Sequence, residues 1–145
     1  MYIIIILPLT ATFLAQALKF FIKSNQKKFN LRSAFSYSGM PSGHSALVIS
    51  LAVIMGLETG WDSPLFSFTA IYAFLVIRDA LGLRRFIGRH STIINKLVKD
   101  LGDDDVLEEN YPKLIENIGH TIPQVVVGGL IGAVVSIVGY YYFNI

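Results

Sequence analysis

No cysteine occurs in the 145 residues, so disulfides, thiolate chemistry and Cys-type metal sites are excluded. Charge is scarce too: Asp, Glu, Lys and Arg together make 15% of the chain, where a soluble domain carries about a quarter. Together with a mean hydropathy of +0.56, that shortage points to a chain whose surface meets lipid. No basic n-region precedes the first apolar run, as it would in a secretory signal, so that run reads as a retained membrane helix. The absence of an inverted repeat and of mid-span charge argues against a channel or transporter. The formal net charge of +2 gives no reason to expect a nucleic-acid partner. Its distribution along the chain is more informative than its size.

Four apolar segments are present within what length makes a single domain, 1–145. Met1–Ile22 holds one charge, Lys19, and is long enough to cross a bilayer. Ser45–Leu57 is short and needs bilayer thinning or a partly buried entry. Pro64–Ile77 is rich in aromatics, and Ile122–Phe143 carries no charge. All 12 Lys and Arg residues fall at or after the end of either the first or the third segment, whereas the connection Glu58–Ser63 has two acids and no base. With four spans, every base then falls on one side. The positive-inside rule makes that side cytoplasmic and places both termini outside.

The expected fold is therefore an all-α integral-membrane bundle of about four transmembrane helices plus a cytoplasmic helix within Gly82–Gly119. In that connection Phe86, Ile93, Ile94, Leu97, Val98 and Leu101 recur at helical spacing among bases. The pattern suits a helix in the membrane interface or one packed on the cytoplasmic end of the bundle. Asp103–Asp105 with Glu108 and Glu109 reads as a solvated acidic loop leading into a short helix rather than a divalent-metal site. On the last segment Gly128, Gly132 and Ser136 recur every four residues, a spacing that lets helix backbones approach closely in lipid. The stripe serves either packing within the chain or a homodimer.

His44, in "GMPSGHSAL", and His120, in "ENIGHTIPQVV", each stand at the start of an apolar segment on the basic side. Helix N-termini present unpaired N–H groups and partial positive charge, which suit phosphate and other anions. A single interfacial histidine is usually just hydrated. Two on one face, beside a concentration of bases, describe an anion pocket with two groups able to attack or to move protons. His90 lies in the amphipathic stretch and reads as a surface residue. Thr121 and Gln124 form a Thr-x-x-Gln capping box, with Pro123 in the first turn.

"PSGHSA" resembles the second signature motif of the type-2 phosphatidic-acid phosphatase superfamily, which also contains the vanadium-dependent haloperoxidases. The closer resemblance is to its divergent membrane branch. The shared pattern takes in Ala15-Gln16 with Lys19, Arg32, Phe35-Ser36, Gly39–Ser42 and His44–Ala46. It continues through Asp79, Gly82, Arg84, Gly88 and Asn95 to Gly119–Pro123. The resemblance implies hydrolysis of a lipid phosphomonoester or diphosphate through a phosphohistidine, with no metal and no cofactor. His120 would be the nucleophile, and His44 the acid for the leaving group and then the base for water. The Ser42 hydroxyl and the Gly43 amide would hold phosphate oxygens, and Lys19, Arg32 and Arg84 would offset their charge. Membrane lipid would be the partner.

Three departures stand out. The superfamily's lysine-to-Arg-Pro first motif is missing, Arg84 lies far upstream of His120, and Gln124 replaces the acid one turn beyond the nucleophile. There Gln124 either only caps the helix or also orients the His120 ring. The competing expectation is a catalytically weak or inactive relative that binds lipid headgroups or phosphate, or a small membrane scaffold.

Overall fold

The computed structural model describes residues 2–22, 39–100, 113–116 and 118–143. Arg32 and the acidic run Asp103–Asp105 with Glu108 and Glu109 lie outside these residues. Five helices are described: α1 Ile3–Lys19, α2 Gly43–Thr59, α3 Pro64–Leu81, α4 Leu83–Asp100 and α5 Ile122–Phe143. No strand occurs among the described residues.

Local chemistry sets several boundaries. Ser42 caps α2, its Oγ accepting the Ser45 N–H, and Ser63 caps α3 by accepting the Phe66 N–H, with Pro64 in the first turn. α2 therefore starts two residues earlier and ends two later than its apolar core implied, and it matches α1 in length at 17 residues. α3 continues past Ile77 to Leu81 because Arg78 and Asp79 are compatible with its last turn.

α2 is the central helix, packed against α1, α3 and α5. It runs parallel to α5 in a fixed register: Ser42 lies over Gly128, Ala46 over Gly132, and Ser50 over Ser136. A Cβ on Gly128 would overlap the Ser42 carbonyl, and one on Gly132 would overlap that of Ala46. Ser136 Oγ donates to the Ser50 carbonyl at 2.8 Å, which leaves the Ser50 hydroxyl to donate to Ser136 Oγ at 2.6 Å. α1 packs antiparallel to both, with Leu7 on Gly139 at one end and Ala11, Ala15 and Ala46 forming a fully buried cluster. Gly128, Gly132 and Ser136 thus all pack against α2 within one chain.

The interior is rich in small residues, with Leu7, Val48, Ile54, Met55 and Val125 packed among them, while many large apolar side chains face outward. Phe13, Phe68, Ile71, Phe74, Leu130, Val134 and Val138 are all exposed. This is the arrangement expected when lipid is the solvent: tails are as apolar as leucine, so close backbone packing rather than apolar burial drives association. Two helical stretches, Pro64–Asp100 and Ile122–Phe143, are long and apolar enough to cross a membrane, and α1 and α2 are shorter apolar helices.

The amphipathic stretch forms α4. Its buried residues are Gly88 and Ser91, while Leu83, Phe86, Ile87, Ile93, Ile94 and Leu97 are exposed. The apolar stripe is therefore not packed on the end of the bundle by any described residue.

Candidate active site

Four helix ends converge at one end of the bundle: the C-termini of α1 and α3 and the N-termini of α2 and α5. Two backbone bonds brace them. The Ser42 N–H donates to the Gln124 carbonyl at 3.0 Å, and the His120 N–H donates to the Ala80 carbonyl at 3.0 Å. Gly119, at φ 97°, makes the turn into His120 in a region that side-chain-bearing residues rarely adopt. The loop before α2, the start of α5 and the end of α3 are thereby held together.

The convergence brings His44 and His120 close together, with ring centroids 6.2 Å apart and planes tilted by 58°. Their environments differ. His120 is 3% exposed, whereas His44 is open to solvent. Gln124 Oε1 accepts the Thr121 N–H at 2.9 Å and lies 3.3 Å from His120 Nδ1. The Thr121 amide can only donate, so the atom facing it is the carboxamide oxygen. The same oxygen can only accept from the imidazole, which puts the ring proton on Nδ1 and leaves a lone pair on Nε2. Gln124 therefore serves both roles open to it: it closes one half of the capping box and it orients the ring.

Burial pushes the His120 imidazole below its ordinary pKa. The Gln124 hydrogen bond pulls it partly back, and the nearby charges of Lys19, His44 and Arg84 lower it further. The ring is thus biased toward its neutral form, the one with a lone pair to use.

The other expected residues fall as follows. Lys19 ends α1 and is 9% exposed, where the helix C-terminus favours a cation. Its charge and that of Arg84 act on both histidines. Arg84 Nε contacts Asp79 Oδ2 at 2.6 Å, so it is braced at the end of α3. Ser42 is fully buried and its Oγ caps α2, yet its own hydroxyl proton remains to donate. The Gly43 and His44 N–H groups, in the first turn of α2, have no intrahelical partner. Among the described residues, no group of three or more His, Asp or Glu side chains is placed to hold a metal.

Two residues gain a role that the sequence reading did not give them. Gln16, one turn before Lys19, lays its carboxamide against Gly43: Nε2 is 3.2 Å from where a Gly43 Cβ would stand. Its Oε1 is buried without a partner, as is Ser45 Oγ. The available signal was the i, i+3 spacing of Gln16 and Lys19, which puts both on neighbouring parts of one helix surface. Asp79 was part of the recognised pattern, and its ion pair with Arg84 gives the reason.

A family model described as "Divergent PAP2 family" matches residues 2–135. The chain belongs to that family. A Bacillus subtilis (strain 168) relative, named "Uncharacterized membrane protein YuiD", is 37% identical over 147 residues, covering 93% of this chain and 92% of its own length. No solved structure matches the chain. In this member of the divergent PAP2 family, His44 and His120 meet where the helix ends just described converge.

Proposed function

We propose that this divergent PAP2 protein is an integral-membrane phosphatase that hydrolyses a lipid phosphomonoester or diphosphate at the cytoplasmic membrane surface. The observation that carries the reading is the pair of imidazoles 6.2 Å apart, one buried and held by Gln124, the other open. His120 Nε2 attacks phosphorus, the bond to the leaving alkoxide or phosphate breaks, and His44 supplies the proton that the leaving oxygen needs. His44, now neutral, takes a proton from water as that water attacks the phosphohistidine, which releases inorganic phosphate and regenerates both rings. The unpaired N–H groups of Gly43 and His44, the Ser42 hydroxyl, Lys19, Arg84 and, from the first cytoplasmic loop, Arg32 offset the charge on the phosphoryl oxygens. The orphaned Gln16 Oε1 suits the proton of the attacking water or of a protonated phosphate oxygen, since buried polar atoms without partners call for one.

In this reading all four apolar helices span, both termini face outward, and α4 lies in the cytoplasmic interface. Its exposed stripe of Leu83, Phe86, Ile87, Ile93, Ile94 and Leu97 enters the acyl boundary while Arg85, Arg89 and Lys96 face anionic headgroups. A headgroup would then meet the two histidines without its tails leaving the bilayer. The second reading is a weak or inactive relative that binds lipid headgroups or phosphate, favoured by one feature, the neutral Gln124 beside His120. Purified protein in mixed vesicles, offered phosphatidic acid, a polyprenyl phosphate and a polyprenyl diphosphate, separates the two. Phosphate release by wild type and none by His120→Ala supports the enzyme. Saturable lipid-phosphate binding without release by either protein supports the binder.

A further inference from the structure

α4 faces the rest of the chain with a polar stripe, and one residue on it, Asn95, engages the strand of chain that leads to His120. Asn95 Nδ2 donates to the Leu114 carbonyl at 2.9 Å, while its Oδ1 accepts the Leu114 N–H at 3.0 Å. The second Nδ2 proton goes to Glu116 Oε1 at 2.8 Å. Both donors of the carboxamide are thus used, and the Leu114 N–H fixes which end is oxygen. Thr92 Oγ1 lies 3.3 Å from the other Glu116 oxygen. One turn or two back along α4, Gly88 has no side chain, and the chain lies directly on it. A Cβ there would be 2.5 Å from the Glu116 carbonyl and 3.3 Å from Ile118 N and O. Gly119 then lies close to both α4 and α3, since its Cβ would meet Arg85 N at 3.0 Å and the Ala80 carbonyl at 3.2 Å.

Apolar burial does not explain why the segment sits there. Leu114 and Ile115 are 41% and 63% exposed. The polar clamp, the Gly88 contact and, at its end, the His120 N–H bond to the Ala80 carbonyl are what the described residues of the segment rest on.

We propose that Asn95 is a positioning residue for His120: by reading the backbone of Leu114 and holding Glu116, it fixes where the segment enters α5 and so where the imidazole stands. Asn95 touches neither histidine and no phosphate group. The inference rests on the phosphatase reading for its catalytic consequence, but its geometric core does not. It also makes α4, the helix assigned to the membrane interface, the frame on which the nucleophile is mounted.

The test uses full-length detergent-solubilised protein with ¹⁵N-labelled histidine. The His120 ring nitrogen shifts and titration midpoint are followed in wild type, Asn95→Ala, Asn95→Asp, and Asn95→Asp combined with Glu116→Gln. Asn95→Ala loses all three bonds. Asn95→Asp keeps acceptance from Leu114 but sets a carboxylate against the Glu116 carboxylate and the Leu114 carbonyl. The double variant replaces the carboxylate–carboxylate repulsion with a bond from the new carboxamide and leaves only the Leu114 carbonyl without its donor. The expected result is that both single variants move the His120 midpoint toward an ordinary imidazole and weaken the Nδ1–H signature, and that the double variant moves both back toward wild type. Where phosphate release is measurable, kcat falls about 10- to 100-fold with KM unchanged, the scale of a displacement near 1 Å, and recovers in the double variant. His120 signals unchanged in both single variants, or altered equally in the double variant, overturn the proposal. If Asn95→Ala fails to fold, the Asp pair decides alone. Absence of phosphate release in wild type counts against the phosphatase reading, while the ring signals still decide the role of Asn95.

Discussion

Replacing Gln124 by Glu changes one polar group where the cap of α5 and the orientation of His120 depend on the same oxygen. The Thr121 N–H at 2.9 Å and Nδ1 at 3.3 Å both keep an acceptor in the variant, so neither the helix start nor the tautomer has reason to change. What changes is charge. A neutral hydrogen bond contributes about 0.5–1.5 kcal/mol and one to a charged group about 1.5–3 kcal/mol, so the bond to the ring gains about 1–1.5 kcal/mol. The gain is larger in the transition state, where positive charge builds on the imidazole as the phosphorus–nitrogen bond forms. Since about 1.4 kcal/mol is tenfold in rate, phosphoenzyme formation should speed up by about 10-fold and by less than about 100-fold. The ceiling follows from comparison with a Ser-His-Asp triad, where the amide costs about 10⁴ and part of that loss is a wrong tautomer. Here Thr121 already enforces the right tautomer, so that part is not there to regain.

Two side effects accompany the change. A carboxylate in the first turn of α5 stabilises the helix by about 0.3–1 kcal/mol. It also raises the His120 pKa, which moves the acid limb of the pH–rate profile upward. Single-turnover rates on a lipid phosphate in vesicles, together with thermal unfolding in detergent, read all of this. A rate that stays flat or falls while the protein is at least as stable would show that Gln124 acts on the helix start and has no part in the chemistry.

Gly132→Leu should lose folded protein in a detergent thermal-shift assay, because its Cβ would strike the Ala46 carbonyl; overpacking costs at least about 1–3 kcal/mol. A folded monomer of wild-type stability would contradict the α2–α5 register. His120 takes up its proton at lower pH in the fold than in the unfolded chain, so stability should fall as pH drops below about 6.5 and level off once the folded form also protonates. Denaturant midpoints for wild type and His120→Gln should therefore diverge between pH 7 and 5, with wild type losing more; parallel curves would remove the buried neutral imidazole. A reporter fused after Ile145 should be exported and one placed near Asp104 retained, and the reverse result would put the histidines on the outer face.

Much of the architecture was legible because it depends on local patterns. The apolar runs, the Thr121–Gln124 capping box and the period of α4 each involve neighbours a few residues apart. The charge pattern also put both histidines on one side of the expected bundle. It could not bring them to 6.2 Å, because that distance depends on α2 and α5 lying in contact, which depends in turn on Gly128 and Gly132 meeting Ser42 and Ala46 from the far end of the chain. The Gly-Gly-Ser stripe itself was visible, but its partner was not, since a small-residue face fits an internal helix and a second copy equally well. Gln16, Asp79 and Asn95 were noticed as parts of a pattern without a role. Each acts on a residue distant in sequence or one helix away: Gln16 on Gly43, Asn95 on Leu114, and Asp79 across the break between α3 and α4. Gln124 was readable as a cap or as an orienter, and only the position of a single oxygen, within reach of both Thr121 N and His120 Nδ1, shows that it is both.

The claim that His120 is the nucleophile is tested most directly by trapping the phosphorylated protein. His44→Ala, mixed with a lipid diphosphate carrying a labelled terminal phosphate and quenched under basic conditions, retains the group that attacks but lacks the base that activates water. Label that is stable to base, labile to acid and mapped to the peptide containing His120 is the predicted result. Label on another residue, or none at all under conditions where wild type releases phosphate, would contradict it.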